Sequence, residues 1–222
     1  MNSFFNSVND WLLVGGDLDL AHDLTGQDFA TTVAQLRGEG VTHVLDLRSE
    51  WEDKAEWVQG GLAPENYCHA PIKDSWRHTP AESWHEAVEN FVSYFWMNSA
   101  EGDRLYVHCH MGINRAPSAA MQALLTIEGM DPWEAFLAIR EARPAAGLVY
   151  AEAVGARHIV QRDENYDGDV YADIAEDSAT YAALADFVGR MQAYWTPQMI
   201  QAVRRGMAYY RDAEGGTKVV NG

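Results

Sequence analysis

The stretch Leu105-Tyr-Val-His-Cys-His-Met-Gly-Ile-Asn-Arg115, followed by Ala116-Pro-Ser-Ala-Ala-Met-Gln-Ala-Leu-Leu125, decides the reading of this 222-residue chain. Leu105 to His108 is a short apolar strand entered from the turn Glu101-Gly-Asp-Arg104, and Ala116 to about Glu128 has helical composition. A strand that passes through seven residues directly into a helix belongs to a βα unit. In sheets built from such units, ligands sit at the carboxyl ends of the strands, and the junction between His108 and Cys109 is such an end.

Working outward, Trp11 to Gly16 reads as a strand ending in a glycine turn and Gln27 to Arg37 as a helix closed by Gly38 and Gly40. Val41-Thr-His-Val-Leu-Asp-Leu47 is the clearest buried strand, and Asn66 to Ile72 a further short one. Thr79-Pro-Ala-Glu82 forms a capping box with proline at the first helical position. The helix after it points Trp84, Val88, Phe91, Val92 and Phe95 at a core. Helices near Pro132 to Glu141 and Val149 to Val160 follow. Strands alternating with helices imply an α/β fold, a central mostly parallel sheet flanked by helices.

From Arg162 the character changes. Asp163 to Asp169 is an acidic, turn-rich linker, and Ala179 to Trp195 and Pro197 to Tyr210 read as two amphipathic helices. The expected division is a domain over residues 1–162 and a helical extension over 163–222. Two helices alone bury little, so the extension is expected to pack on the core or to form a homodimer with a second copy.

With 16 Lys+Arg against 33 Asp+Glu the formal charge is −17, which argues against a nucleic-acid partner. Cys68 and Cys109 are too few for a disulfide framework. No basic, apolar leader opens the chain and no apolar run approaches the roughly 20 residues that cross a bilayer. The expectation is a soluble, cytoplasmic protein without a membrane partner.

Cys109 and Arg115 stand six positions apart. Chance gives roughly 0.1 such pairs in a chain of this composition, and a few in ten thousand once His108 and Gly112 are required too. The physical logic is a phosphate cradle. A loop at the amino end of a helix aims backbone N–H groups at one point, where the helix dipole adds positive potential. His110, Met111, Gly112, Ile113, Asn114 and Arg115 would line it, Gly112 turning without a side chain in the bowl. Arg115 brings a planar fork suited to two phosphoryl oxygens. Cys109, in the same field, is favoured as thiolate and so as a nucleophile. Asp74, in the loop Lys73 to His78 after a strand expected to lie beside the Leu105 strand, is the best general acid, with Glu50 and Asp53 as rivals.

These residues resemble the cysteine-dependent dual-specificity phosphatases of the protein tyrosine phosphatase superfamily. The likeness covers about residues 11–162 and includes Leu13-Val-Gly-Gly16 and Ala135-Phe-Leu-Ala-Ile-Arg-Glu-Ala-Arg-Pro144. It implies that fold and a metal-free, cofactor-free two-step hydrolysis of a phosphorylated protein or other phosphomonoester. Cys109 would be the nucleophile, Arg115 the phosphate ligand and Asp74 the general acid and then base, with His108 helping to orient the cysteine loop. Ala116 departs from the family, which usually has a hydroxyl residue there to assist breakdown of the phosphocysteine. Some members acting on phosphorylated glucans share Arg-Ala-Pro. Phosphoinositide phosphatases tend to carry lysines inside the loop, absent here, and RNA triphosphatases share Asn-Arg but lack the acid. A noncatalytic phosphate-binding module is the reading from another class. Cys68 reads as a strand cysteine ahead of a protective disulfide partner for Cys109.

Overall fold

In the computed structural model, residues 4–74, 82–162 and 178–195 are described. Alternation along three strands divides the interior into two layers. Leu12, Val14, Leu45, Leu105 and Val107 face one layer, while Leu13, Val41, Val44 and Tyr106 face the other. A strand whose two faces are both apolar must be covered on both sides.

The sheet has five strands in the order β1-β2-β5-β3-β4: β1 (Phe5–Ser7), β2 (Leu12–Gly15), β5 (Arg104–His108), β3 (Val41–Asp46) and β4 (Tyr67–His69). Edge strand β1 is antiparallel to β2, and the remaining pairs are parallel. In register, Gly15, Asp46 and His108 lie level across the centre and His69 beside Asp46, so the carboxyl ends of the parallel strands finish along one line.

One layer contains α1 (Leu18–Thr25), α2 (Phe29–Gly38) and α3 (Lys54–Gln59). Aspartates start the first two: Asp17 accepts from Leu20 N–H at 2.8 Å and Asp28 from Thr31 N–H at 2.7 Å. The other layer contains α4 (Glu82–Asn98), α5 (Arg115–Glu128), α6 (Pro132–Ala142), α7 (Ala151–Gln161) and α8 (Ala179–Tyr194). Helix α5 is buried on all sides from Arg115 to Leu125 because α4, α6, α7 and the sheet enclose it. Ala116, Ala119, Ala120 and Ala123 permit that close approach, since a methyl group holds neighbouring backbones apart least.

The expected α/β architecture is present, with differences at the edges. Strand β4 is shorter than the expected Asn66 to Ile72, although Ala70 and Ile72 still donate to Asp46 and Leu47 carbonyls. It pairs with β3 and so lies two strands from β5, not beside it. Strand β1 and helices α1 and α3 are additional to the elements expected from the sequence. The Thr79 to Ala81 part of the capping box, the acidic linker and the second tail helix lie outside the described residues. Helix α8 packs on α6 and α7, burying Phe187 and Met191 in the same core cluster as the sheet. Among the described residues no helix is long and apolar enough to cross a membrane.

Candidate active site

Beyond the end of β5, the seven residues from Cys109 turn over the carboxyl edge of the sheet and enter α5 at Arg115. Two glycines of β2 and its continuation make room for this turn. Gly112 has φ 62°, and a Cβ there would fall 2.4 Å from the Gly15 carbonyl carbon. A Cβ on Gly16 would meet the His110 carbonyl oxygen at 2.9 Å. The reason for Gly112 is therefore its contact with β2 as well as its backbone angle; a side chain there would meet the sheet, whereas the sequence had suggested it would fill the bowl.

Cys109 is buried, and its Sγ accepts the Ala116 N–H at 3.5 Å from the first turn of α5. That contact lets the positive end of the helix act directly on sulfur. Arg115 extends from the same turn under the loop. Its Nη1 donates to Ile72 O at 2.8 Å, to Leu47 O at 3.2 Å and to Glu50 Oε2 at 3.2 Å. Nη2 reaches Glu50 Oε1 at the longer 3.4 Å, and the buried Nε has no hydrogen-bond partner among the described residues. Burial disfavours the guanidinium charge, but Cys109, Glu50 and Asp74 outweigh it and raise its pKa. Burial likewise raises the Glu50 carboxyl, and the Arg115 bond overcomes this to leave it below its ordinary value.

Asp74 enters from the far side of β3. Its Oδ1 accepts from Asn114 Nδ2 at 2.8 Å, and Oδ2 lies 3.7 Å from Arg115 Nε. Cys109, Arg115 and Asp74 thus converge, and Asn114 connects them while its Oδ1 accepts the Val149 N–H at 2.7 Å. Of the rival acids, Glu50 touches Arg115, whereas Asp53 is turned away into a buried ion cluster.

That cluster was not visible in the sequence. Arg48, wholly buried, meets Asp46 at 2.7 Å, Asp53 at 2.9 Å and Asp17 at 3.2 Å. Tyr67 donates to Asp46 at 2.6 Å, and Asp17 also holds His110 Nδ1 at 2.7 Å. One cation among three carboxylates leaves excess negative charge. Burial raises Asp46, but His108, Arg48 and Tyr67 prevail and bring it down to about 2. For Asp53 burial prevails over Arg48, pushing it up to about 7; its Oδ2 has no hydrogen-bond partner among the described residues. The network fixes residues 46–53, and with them Glu50, beneath the loop.

His108 is fully buried and stacks on Tyr106 at 5.3 Å, and neither ring nitrogen has a hydrogen-bond partner among the described residues. Burial brings its pKa down to about 4. Its carbonyl accepts the Leu47 N–H at 3.0 Å, tying β5 to β3 at the site, whereas its imidazole makes no such tie to the cysteine loop. Met111 and Ile113 pack toward the α1–α3 layer, and His110 is held by Asp17. Motif spacing does not single out Arg143, yet its Nε donates to Gly112 O and its Nη2 to Met111 O at 3.1 Å. The available signal was an arginine placed before proline where α6 ends. Lys73 is exposed, and Arg77 and His78 lie outside the described residues. No three His, Cys, Asp or Glu side chains form a metal-holding group among the described residues.

Cys68 lies level with Leu45 and Val107, two strands from β5. Strand spacing separates it from the β5 axis by roughly 10 Å, beyond the 7 Å between Cα atoms that a disulfide can span. Both cysteines are free.

No family model matches the chain. A protein-tyrosine-phosphatase, MKP1, of Arabidopsis thaliana is 25% identical over 146 residues, which are 64% of this chain and 16% of the relative. The match therefore spans about a sixth of that protein's length. The solved PTP-2 phosphatase of Cydia pomonella superposes with a TM-score of 0.55 at 19% identity, covering 69% of this chain and 89% of that one. Human DUSP28 gives 0.52 at 14% identity over 86% and 97%. PTPMT1, solved in complex with PI(5)P, gives 0.51 at 18% identity over 70% and 95%. The chain shares the fold of these three solved phosphatases.

Proposed function

We propose that this chain is a phosphomonoester hydrolase that works through a phosphocysteine, and that its substrates are phosphotyrosine proteins, with phosphoserine and phosphothreonine secondary. The observation that carries the reading is the division of labour on Arg115. Nη1 is committed to the Leu47 and Ile72 carbonyls, while the buried Nε, flanked by Asp74, has no acceptor among the described residues. An edge of guanidinium held rigidly from behind is suited to an oxyanion.

In the first step the Cys109 thiolate attacks phosphorus. The S–P bond forms as the ester P–O bond breaks, and Asp74 gives its proton to the leaving oxygen. In the second step water attacks the phosphocysteine and passes a proton to the Asp74 carboxylate. The S–P bond breaks, inorganic phosphate leaves and the thiolate returns. Arg115 and the loop N–H groups hold the phosphoryl oxygens throughout.

Trp51 supports an aryl substrate. It is 46% exposed, its indole donates to Asp19 Oδ2 at 3.1 Å, and its ring lies 5.6 Å from that of His110, the neighbour of Cys109. A fixed, half-exposed indole beside the loop offers a phosphotyrosine ring a stacking face. Asp19, Glu50 and Glu52 around it disfavour polyanions such as phosphoinositides and RNA ends. A reducing, cytoplasmic setting suits a catalytic thiol.

The test is Cys109→Ser beside wild type on phosphotyrosine, phosphoserine and phosphothreonine peptides, phosphoinositide and phosphoglucan. The expected result is peptide hydrolysis by wild type alone, with vanadate binding retained by the variant. Wild type that binds vanadate but hydrolyses none of them would show a phosphate-binding module.

A further inference from the structure

One segment, residues 143–149, holds the carbonyls of residues 111 to 113 of the phosphate loop. Arg143, 3% exposed, donates to the carbonyls of Met111 and Gly112. Gly147 N–H and Leu148 N–H donate to Ile113 O at 2.6 and 3.3 Å, and Val149 N–H to Asn114 Oδ1 at 2.7 Å. In a planar trans peptide the C=O and N–H point to opposite sides. Fixing the carbonyls of 111, 112 and 113 outward therefore turns the N–H groups of 112, 113 and 114 toward the inner face, where oxyanion binding needs them.

The segment from Arg143 to Val149 is not regular structure, and Leu148 takes φ 44° within it. Its shape is held by Arg140 from α6, whose Nη1 donates to Pro144 O at 2.7 Å and to Ala146 O. Arg140 is in turn held by the end of α8. Tyr194 Oη lies 3.3 Å from its Nε, and Cζ stands 5.8 Å from the Tyr194 ring and 5.2 Å from the Trp195 ring. Both rings rest on Phe136, with centroids 5.0 and 6.1 Å away. Helix α8 is seated by buried Phe187 and Met191, and Gly155 admits Phe187, whose Cζ would lie 2.4 Å from a Cβ there.

We propose that Tyr194 and Trp195 are positioning residues for phosphate binding: they hold Arg140, Arg140 holds the 143–149 segment, and that segment orients the N–H groups of the loop. The end of helix α8 thereby serves the candidate active site through Arg140. This rests on the phosphatase reading above.

The experiment uses the full chain with Trp195→Ala, the ring-retaining Trp195→Phe, and Tyr194→Phe. Vanadate affinity, KM and kcat for p-nitrophenyl phosphate, and melting temperature are measured for each, with binding and kinetics run well below the melt. The expected result for Trp195→Ala is a vanadate Kd and KM each raised about tenfold, as for a misplaced oxyanion donor. Trp195→Phe should restore most of that loss, and Tyr194→Phe should raise both constants by about threefold. A lowered melting temperature with unchanged vanadate Kd and KM would make α8 a stabilising brace only and overturn the proposal. If Trp195→Ala does not fold, the double variant Tyr194→Phe with Trp195→Phe decides, and wild-type vanadate affinity in it overturns the proposal. Wild type that neither binds vanadate nor turns over overturns the phosphatase reading and this proposal with it.

Discussion

Asp74 Oδ1 accepts from Asn114 Nδ2 at 2.8 Å, and Asn114 immediately precedes Arg115. The candidate acid is therefore tied, across the end of β3, to the residue next to the candidate phosphate ligand. An acid positioned in this way is effective only if its orientation is kept, so removing its proton and removing its tether should be separable.

Asp74→Asn retains the shape but cannot deliver a proton. The expected loss in kcat is roughly 10²- to 10⁴-fold on phosphotyrosine peptides. Asn114→Ala keeps the acid and frees it, so a smaller loss is expected. Stopped kinetics on both variants check this. An Asp74→Asn enzyme with wild-type kcat would move the acid role to another group.

Ala116 offers sulfur an N–H at 3.5 Å but no hydroxyl, and its side chain is fully buried. Breakdown of the phosphocysteine is therefore expected to be the slow step. A pre-steady-state burst with p-nitrophenyl phosphate should be seen in wild type and diminish in Ala116→Ser as turnover rises. The absence of a burst, together with unchanged turnover in the variant, would remove the idea.

Gly112→Ala sets a Cβ against the backbone of Gly15 and Gly16, at 2.4 to 2.7 Å, on a residue with φ 62°. Backbone cannot swing aside as a long side chain can, so the loop must deform or β2 must shift. Loss of vanadate binding is expected together with a destabilisation of about 2 kcal/mol or more. Urea melts and vanadate titration measure both, and a variant that matches wild type in each would contradict the close packing described.

What could be read from the chain follows from where its chemistry is local. Cys109, Gly112 and Arg115 lie within seven residues, and the alternation in β2, β3 and β5 is a period that needs no partner to be seen. Asp74 stands out by its loop, but the strand order that brings it beside Arg115 is not legible, because pairing of β3 between β4 and β5 is a long-range choice. Helix α1 has only eight residues, and its Asp17 start and Gly26 end were there to be read. Arg48 with its three aspartates resembles solvated charge in one dimension and becomes buried only when β2, β3 and α3 meet. Arg143 acts on carbonyls 31 and 32 residues away, which no spacing rule reveals.

The Arg48 cluster predicts an unusual dependence of stability on pH. Asp53 has a folded pKa of about 7 against about 4 unfolded. Its contribution is complete below pH 4 and is lost as pH rises toward 7, because the folded chain keeps a proton that the unfolded chain has released. His108 has a folded pKa of about 4 against about 6.5 unfolded. Its contribution is complete above pH 6.5 and is lost as pH falls toward 4. The two slopes, each about 1.4 kcal/mol per pH unit, oppose one another between pH 4 and 6.5. In wild type the Asp53 slope therefore offsets the His108 slope there, and stability is expected to fall below pH 4 as Asp46 is protonated. Asp53→Asn replaces a carboxyl already protonated at pH 5 and removes only the Asp53 slope. Its stability should rise with pH from 4 to 6.5 and exceed that of wild type at pH 8. Urea melts at pH 4.5, 5.5, 6.5 and 8 read this directly, and parallel curves for the two proteins would mean that Asp53 is ionised in the folded chain.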